Sequence, residues 1–186
     1  MGNKKQILGT RQVLSTIFRN IVRQSIIYPM NMPEFGSDPI DQYSKPVGET
    51  KTKLTRVFTM PVREKPEKPG RSLAVNWDQR SPLVEGFENR YSYTVKLWTR
   101  GNLAGNHYHE RKEELFFPVA GDFTILLEDI DTKESEEINL RESEHQVIFI
   151  PTKVAHTAIA QSDNAVLLVV ATYPGTEEDE FPYKLK

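Results

Sequence analysis

Cysteine is absent from the 186 residues, which excludes a disulfide framework, a thiolate metal site and a cysteine nucleophile, and suits a reducing compartment. No run of eighteen apolar residues occurs, so nothing reads as a transmembrane segment, and the cytoplasm is the expected location. Acids are missing from residues 1 to 33, which carry Lys4, Lys5, Arg11, Arg19 and Arg23; the net charge of -2 therefore divides into +5 there and -7 over the rest. An acidic body lacks the clustered positive surface that a phosphate backbone requires, which removes nucleic acid from the expected partners. Also missing are a phosphate-binding glycine loop, a G-x-G-x-x-G fingerprint and a G-x-S-x-G elbow. The acid-rich stretch "LEDIDTKESEE" lacks the glycine and spacing of a calcium loop and reads as the tip of a polar hairpin. Histidine is scarce as well, with four in the chain, yet two of them stand two positions apart in "NHYH".

Three zones follow one another along the chain. Residues 6 to 27, "QILGTRQVLSTIFRNIVRQSII", place apolar pairs at three- to four-residue spacing from Val13 onward, which predicts an amphipathic helix ended by Tyr28 and Pro29. Its lack of acids also suits a transit peptide or a membrane-surface helix, but a docked helix is the simpler expectation. "MGNKKQ" opens like a myristoylation site, yet Gln6 stands where serine or threonine is wanted. From Pro29 to Pro69 lie seven of the twelve prolines, so this zone is expected to be an extended arm with "LTRVFTM" as its one strand. Beyond Pro69 come "RSLAVNW", "YSYTVKLW", "ELFFPVAG", "DFTILLED", "EEINL", "QVIFIP", "HTAIAQ" and "AVLLVVATY", each bounded by turn residues. Short strands at this spacing predict an all-β barrel or sandwich. The expected division is therefore an N-terminal helix and proline-rich arm over 1–69 and a barrel domain over 70–186.

In a strand, residues i and i+2 share a face, so His107 and His109 project together while Tyr108 faces away. Two imidazoles on one face chelate a metal if further ligands arrive from elsewhere. Glu114 opens "ELFFPVAG", after a gap long enough for the chain to turn back, and His156 begins another strand after "FIPTKVA". Three imidazoles and a carboxylate suit a borderline divalent ion such as Zn, Fe, Mn, Ni or Cu, with positions left for water or substrate.

The spacing Gly101-x5-His107-x-His109-x4-Glu114-x6-Gly121 resembles, position for position, the first signature motif of the cupin superfamily. "HQVIFIPTKVAHTAIA" resembles the second motif at Pro151 and His156, while His145, Lys153 and Ala160 replace its usual glycines and asparagine. The resemblance covers roughly residues 71 to 180. It implies a double-stranded β-helix, a jelly-roll barrel, binding one divalent metal through His107, His109, Glu114 and His156. The family tolerates three or four residues between the second histidine and the glutamate, which leaves Glu113 as the rival ligand. Alternation favours Glu114, which shares a face with Phe116 and Pro118.

"GRSLAV", "RGNLAGNHYHERKEELFFPVAG" and "VVATYPGTEEDEFPY" further resemble the cupins of surface-polysaccharide biosynthesis, which isomerise or epimerise nucleotide-linked 4-keto sugars. That resemblance implies a small-molecule substrate, possessing a carbonyl that a metal or a positive side chain polarises, and a base that shuttles a proton. His145 and Lys153 are the expected catalytic candidates. Tyr91 and Tyr93 share one strand face and Lys96, Trp98 and Arg100 the other, so only one set can meet the substrate. Two other classes fit the same ligands: an iron-dependent cupin dioxygenase, and a non-catalytic, metal-stabilised binding barrel. Barrels of this type pair through exchanged N-terminal strands, and the long arm predicts a homodimer.

Overall fold

The computed structural model describes residues 39–185; the helix expected at 6 to 27 lies outside them. The described residues fold as an all-β unit that begins at Ile40. Its strands are β1 (Gly48–Lys51), β2 (Arg56–Thr59), β3 (Val62–Glu64), β4 (Ser72–Ala74), β5 (Tyr91–Leu97), β6 (Leu103–Tyr108), β7 (Glu114–Ala120), β8 (Phe123–Asp129), β9 (Ser135–Leu140), β10 (Gln146–Ile150), β11 (Val154–Ala160), β12 (Ala165–Ala171) and β13 (Phe181–Pro182). A six-stranded sheet runs β1-β2-β10-β7-β12-β5 and a five-stranded sheet β13-β6-β11-β8-β9, with β3 and β4 as a separate hairpin. From β5 to β13 the chain alternates between the two large sheets except at the β8–β9 hairpin, which is the antiparallel jelly roll expected from the cupin motifs.

Alternation within the strands explains where the core sits. Phe123, Ile125 and Leu127 of β8, Val154, Ala158 and Ala160 of β11, and Phe116, Ile148, Leu167 and Val169 from the facing sheet form one buried cluster. The opposite parity of β7 and β10, Leu115, Phe117, Val147 and Phe149, enters a second cluster with Phe58, Phe87 and Leu83, against which Trp77 packs. The segment between β4 and β5 thus covers the outer face of the six-stranded sheet. With both faces buried, β7 and β10 read as continuous apolar runs rather than alternating ones. Each large side chain so buried stabilises the fold by roughly 1.5–3 kcal/mol.

The proline-rich stretch contributes more to this body than its composition predicts. "LTRVFTM" does form β2, and β2 pairs with β10 over Arg56↔Phe149 to Thr59↔Gln146. β1 adds outside it. Pro46 and Pro61 flank these strands, where a missing N–H costs no ladder bond. The boundary expected at residue 70 therefore falls in the turn between β3 and β4, inside the compact unit. Pro118 lies within β7 because the register shifts there: Val166 pairs with Ala120 and Leu167 with Pro118, leaving Val119 bulged outward.

A second irregularity positions the candidate site. Along β6 and β11, His156 pairs with His107 but Thr157 pairs with Gly105, so Asn106 is an extra residue in the ladder. Both Gly105 (φ 111) and Asn106 (φ 64) take positive φ. The Asn106 amide N–H donates to Thr157 Oγ1, and that hydroxyl donates to Asn106 Oδ1. This bulge sets His107 opposite His156 on the interior face.

A Cβ on Gly105 would lie 2.5 Å from the His156 carbonyl oxygen, whereas one on Gly101, also at positive φ (87), would meet nothing within 4 Å. Gly105→Ala is expected to cost roughly 2–4 kcal/mol, and Gly101→Ala about 1 kcal/mol from backbone strain alone. Urea unfolding of both variants checks this, and equal losses would contradict the close approach at the bulge.

Candidate functional site

Inside one end of the barrel, four side chains from three strands and the loop before β7 converge. His107 comes from β6, His109 from the residue after it, Glu114 from the start of β7 and His156 from β11. One nitrogen or carboxylate oxygen from each lies within 4.8 Å of all the others. The His107 ring stands 4.7 Å from both His109 and His156, centroid to centroid. His109, Glu114 and His156 are buried, and His107 is half-buried at the rim. Glu113, one residue away, turns to the other face, where its backbone pairs with Thr172.

The ring contacts orient the lone pairs. His109 places Nδ1 on the Asp179 carbonyl, and His156 places Nδ1 3.2 Å from the Val154 carbonyl. A ring that donates from Nδ1 keeps Nε2 as an acceptor. Those Nε2 atoms stand 3.7 Å and 3.2 Å from Glu114 Oε2. At His109 an acceptor therefore faces an acceptor, and His109 Nε2 and Glu114 Oε2 are left without a hydrogen-bond partner among the described residues. Such a convergence calls for a cation or a proton between them. The donor types, the anchored Nδ1 atoms and the two orphaned atoms fit a divalent metal ion.

The other carboxylate oxygen is engaged. Glu114 Oε1 accepts from Tyr93 Oη at 3.0 Å and from Lys112 Nζ at 2.9 Å. The Lys112 side chain is 3% exposed and that of Glu114 1%. Burial pushes the Glu114 carboxyl up, but the adjacent His156 and the positive charge of Lys112 outweigh it and hold the group well below the usual carboxylate range. Burial, then Glu114, pushes the Tyr93 hydroxyl upward, so it remains a donor. Burial, reinforced by His156 and His109, pushes His107 down to about 3, which leaves a neutral imidazole. Burial likewise lowers His109.

Among the tyrosine and lysine sets of β5, it is Tyr93 that faces the cluster; Lys96 lies over the Trp98 ring at 4.0 Å on the outer side. The two expected catalytic residues are not brought to this cluster. His145 precedes β10, whose far end, Ile150, pairs with Glu114. Five residues of strand, roughly 16 Å, separate the two levels, and His145 instead lines a cleft with Met60, Asn76 and Pro118. Lys153 is near in backbone only: its N–H donates to the His109 carbonyl at 2.7 Å, while Nζ pairs with Asp131 at 3.2 Å on the surface.

Lys112, Asp179 and Glu180 are the residues that the motifs did not single out. The Asp179 carboxylate, buried, accepts the backbone N–H groups of Glu110, Arg111 and Lys112 at 3.0–3.1 Å. The tail continues as β13, which pairs Phe181 with Tyr108 and Pro182 with His107. Phe181 stacks on Tyr108, and the Tyr183 N–H donates to the Asn106 carbonyl. Glu180 Oε1 stands 3.5 Å from His107 Nδ1. Lys112 was legible, since it shares the parity of Glu114 and Phe116. The long-range partners from the tail carry no local signal.

Comparison with known proteins agrees with this architecture. The family described as FdtA: WxcM-like, C-terminal matches residues 55–182. No curated protein matches by sequence. Among solved structures, a 3,4-ketoisomerase from Helicobacter canadensis superposes with a TM-score of 0.59 at 19% identity, covering 69% of this chain and 90% of that one. The WlaRB TDP-quinovose 3,4-ketoisomerase from Campylobacter jejuni gives 0.59 at 18%, covering 70% and 94%. A dTDP-4-dehydrorhamnose 3,5-epimerase from Sulfolobus tokodaii gives 0.61 at 14%, covering 73% and 81%. At these identities the similarity shows the shared barrel. No helix among the described residues is long and apolar enough to cross a membrane.

Removing the Asp179 carboxylate strands three backbone donors in the loop that carries His109 and Lys112. Asp179→Ala is expected to lower stability by roughly 3 kcal/mol. Amide hydrogen exchange at residues 110 to 112 is expected to accelerate more than in β8 or β11. Uniform acceleration throughout the barrel would contradict a local latch.

Proposed function

Because the chain belongs to the FdtA family, WxcM-like C-terminal, we propose that it isomerises or epimerises a nucleotide-linked keto sugar in the cytoplasm. The observation that carries this reading is the neutral His107 imidazole at the rim, backed by Glu180 at 3.5 Å and set against a buried cluster of donors and acceptors. Ketoisomerisation and epimerisation share a first step, removal of the proton from the carbon beside the carbonyl. In the proposed assignment Glu180 steadies His107 through Nδ1, and the Nε2 lone pair takes that proton. The electron pair of the broken C–H bond moves to the carbonyl oxygen as an enolate, whose charge Lys112 offsets from the interior. Return of the proton to the former carbonyl carbon, while the hydroxyl proton of the deprotonated carbon passes to the enolate oxygen, moves the carbonyl by one position; return to the carbon it left, from the opposite face, inverts that carbon. Glu114 acts as a positioning residue that fixes Lys112, Tyr93 and His156.

A second reading is favoured by the orphaned His109 Nε2 and Glu114 Oε2. His107, His109, Glu114 and His156 would together hold one divalent ion, Zn, Fe, Mn or Ni. Such an ion, when bound, supplies a Lewis acid for the sugar carbonyl. A homodimer completes the proposal, and light scattering should then return twice the 21.4 kDa chain mass, a monomer at micromolar concentration contradicting it.

The test is turnover of a TDP-linked 4-keto-6-deoxyhexose followed by NMR. Wild-type protein is expected to form the 3-keto isomer or an epimer, and His107→Gln to lose at least ~100-fold in kcat with KM nearly unchanged. Absence of conversion by the wild type at saturating sugar would contradict the function. Full activity of His107→Gln would contradict the assignment of the base.

A further inference from the structure

Lys112 is placed where a metal site would least tolerate it. Its ammonium reaches Glu114 Oε1 from within the barrel, and the pair is almost fully buried. Burying two charges is costly, and an apolar pair of similar volume stabilises a core at least as well, so packing alone gives no reason to retain it. Nor is the lysine free to swing aside. Its backbone N–H is fixed on Asp179 Oδ2 at 3.0 Å, and the Tyr93 ring lies 5.8 Å from Nζ.

The consequence for a metal follows from one shared carboxylate. Oε2 faces His109 and His156, whereas Oε1 carries both Lys112 and Tyr93. A divalent ion among the imidazoles gains a single carboxylate oxygen, already neutralised by the lysine, and is repelled across that carboxylate by a unit charge in a low-dielectric interior. We propose that Lys112 is a built-in cation that takes the charge-balancing place of a metal, so that the cluster binds divalent ions weakly and His107 stays free as a base. The inference rests on reading His107, His109, Glu114 and His156 as a ligand set.

Titration of the chelator-treated, full-length protein with Co(II), followed by the visible absorption of the bound ion, tests it. Lys112→Met and Lys112→Gln are expected to bind one equivalent with a Kd at least tenfold tighter than the wild type, and Lys112→Arg, which keeps the charge, to match the wild type. Adding His156→Ala to Lys112→Met should abolish the absorption, which locates the ion in the cluster. Equal affinity in the wild type and both neutral variants overturns the inference, as does failure of both neutral variants to fold, since the charge would then be structural. Sugar turnover by the wild type is measured separately. Its absence beside tightened Co(II) binding would sink the isomerase reading alone, and the reverse result would sink this one.

Discussion

The Glu114 carboxylate lies between the two sheets with 1% of its side chain exposed, where an ion without partners would be unsustainable. Its partners come from every side of the barrel end: Tyr93 from β5, Lys112 and His109 from the loop before β7, His156 from β11. Holding that charge is what forces the surrounding strands into register. A shift of one residue in β7 would turn Glu114 outward and bring Leu115 into the polar cluster.

The irregular parts of the fold serve the same constraint. The Gly105–Asn106 bulge lets β6 approach the His156 backbone closely enough to bring His107 opposite it. The tail then fastens both ends of that arrangement, with Asp179 on the 110–112 loop and Tyr183 on the bulge. Glu180, the residue between latch and strand, is thereby brought beside His107. An interior that gathers three imidazoles, one carboxylate and one lysine side chain, with His107 at its rim, is suited to moving protons.

How much of this the sequence disclosed follows from how local each signal is. Period-two alternation carries the barrel strands, the face shared by His107 and His109, and the choice of Glu114 over Glu113. The same alternation extended backward would have marked Lys112, which a ligand-spacing argument passes over. β1, β3 and β13 are too short, or too polar, to announce themselves; they exist because β2, β4 and β6 offer edges to pair with. His145 and Lys153 drew attention by replacing motif glycines, and both indeed occupy left-handed backbone at φ 49 and 61. That conformation is a turn requirement, and it directs their side chains to a distant cleft and to Asp131 respectively. Asp179 and Glu180 depend on a contact some seventy residues apart in sequence, beyond the reach of any local pattern.

Proton abstraction beside a sugar carbonyl, organised by the ionised Glu114, is tested most directly in D2O. A TDP-linked 4-keto sugar incubated with the wild type is predicted to gain deuterium at the carbon neighbouring the carbonyl, as read by NMR and mass spectrometry, while Glu114→Gln, folded and able to bind the sugar, leaves it unlabelled. No label with the wild type at saturating sugar, or undiminished labelling with Glu114→Gln, would contradict the account.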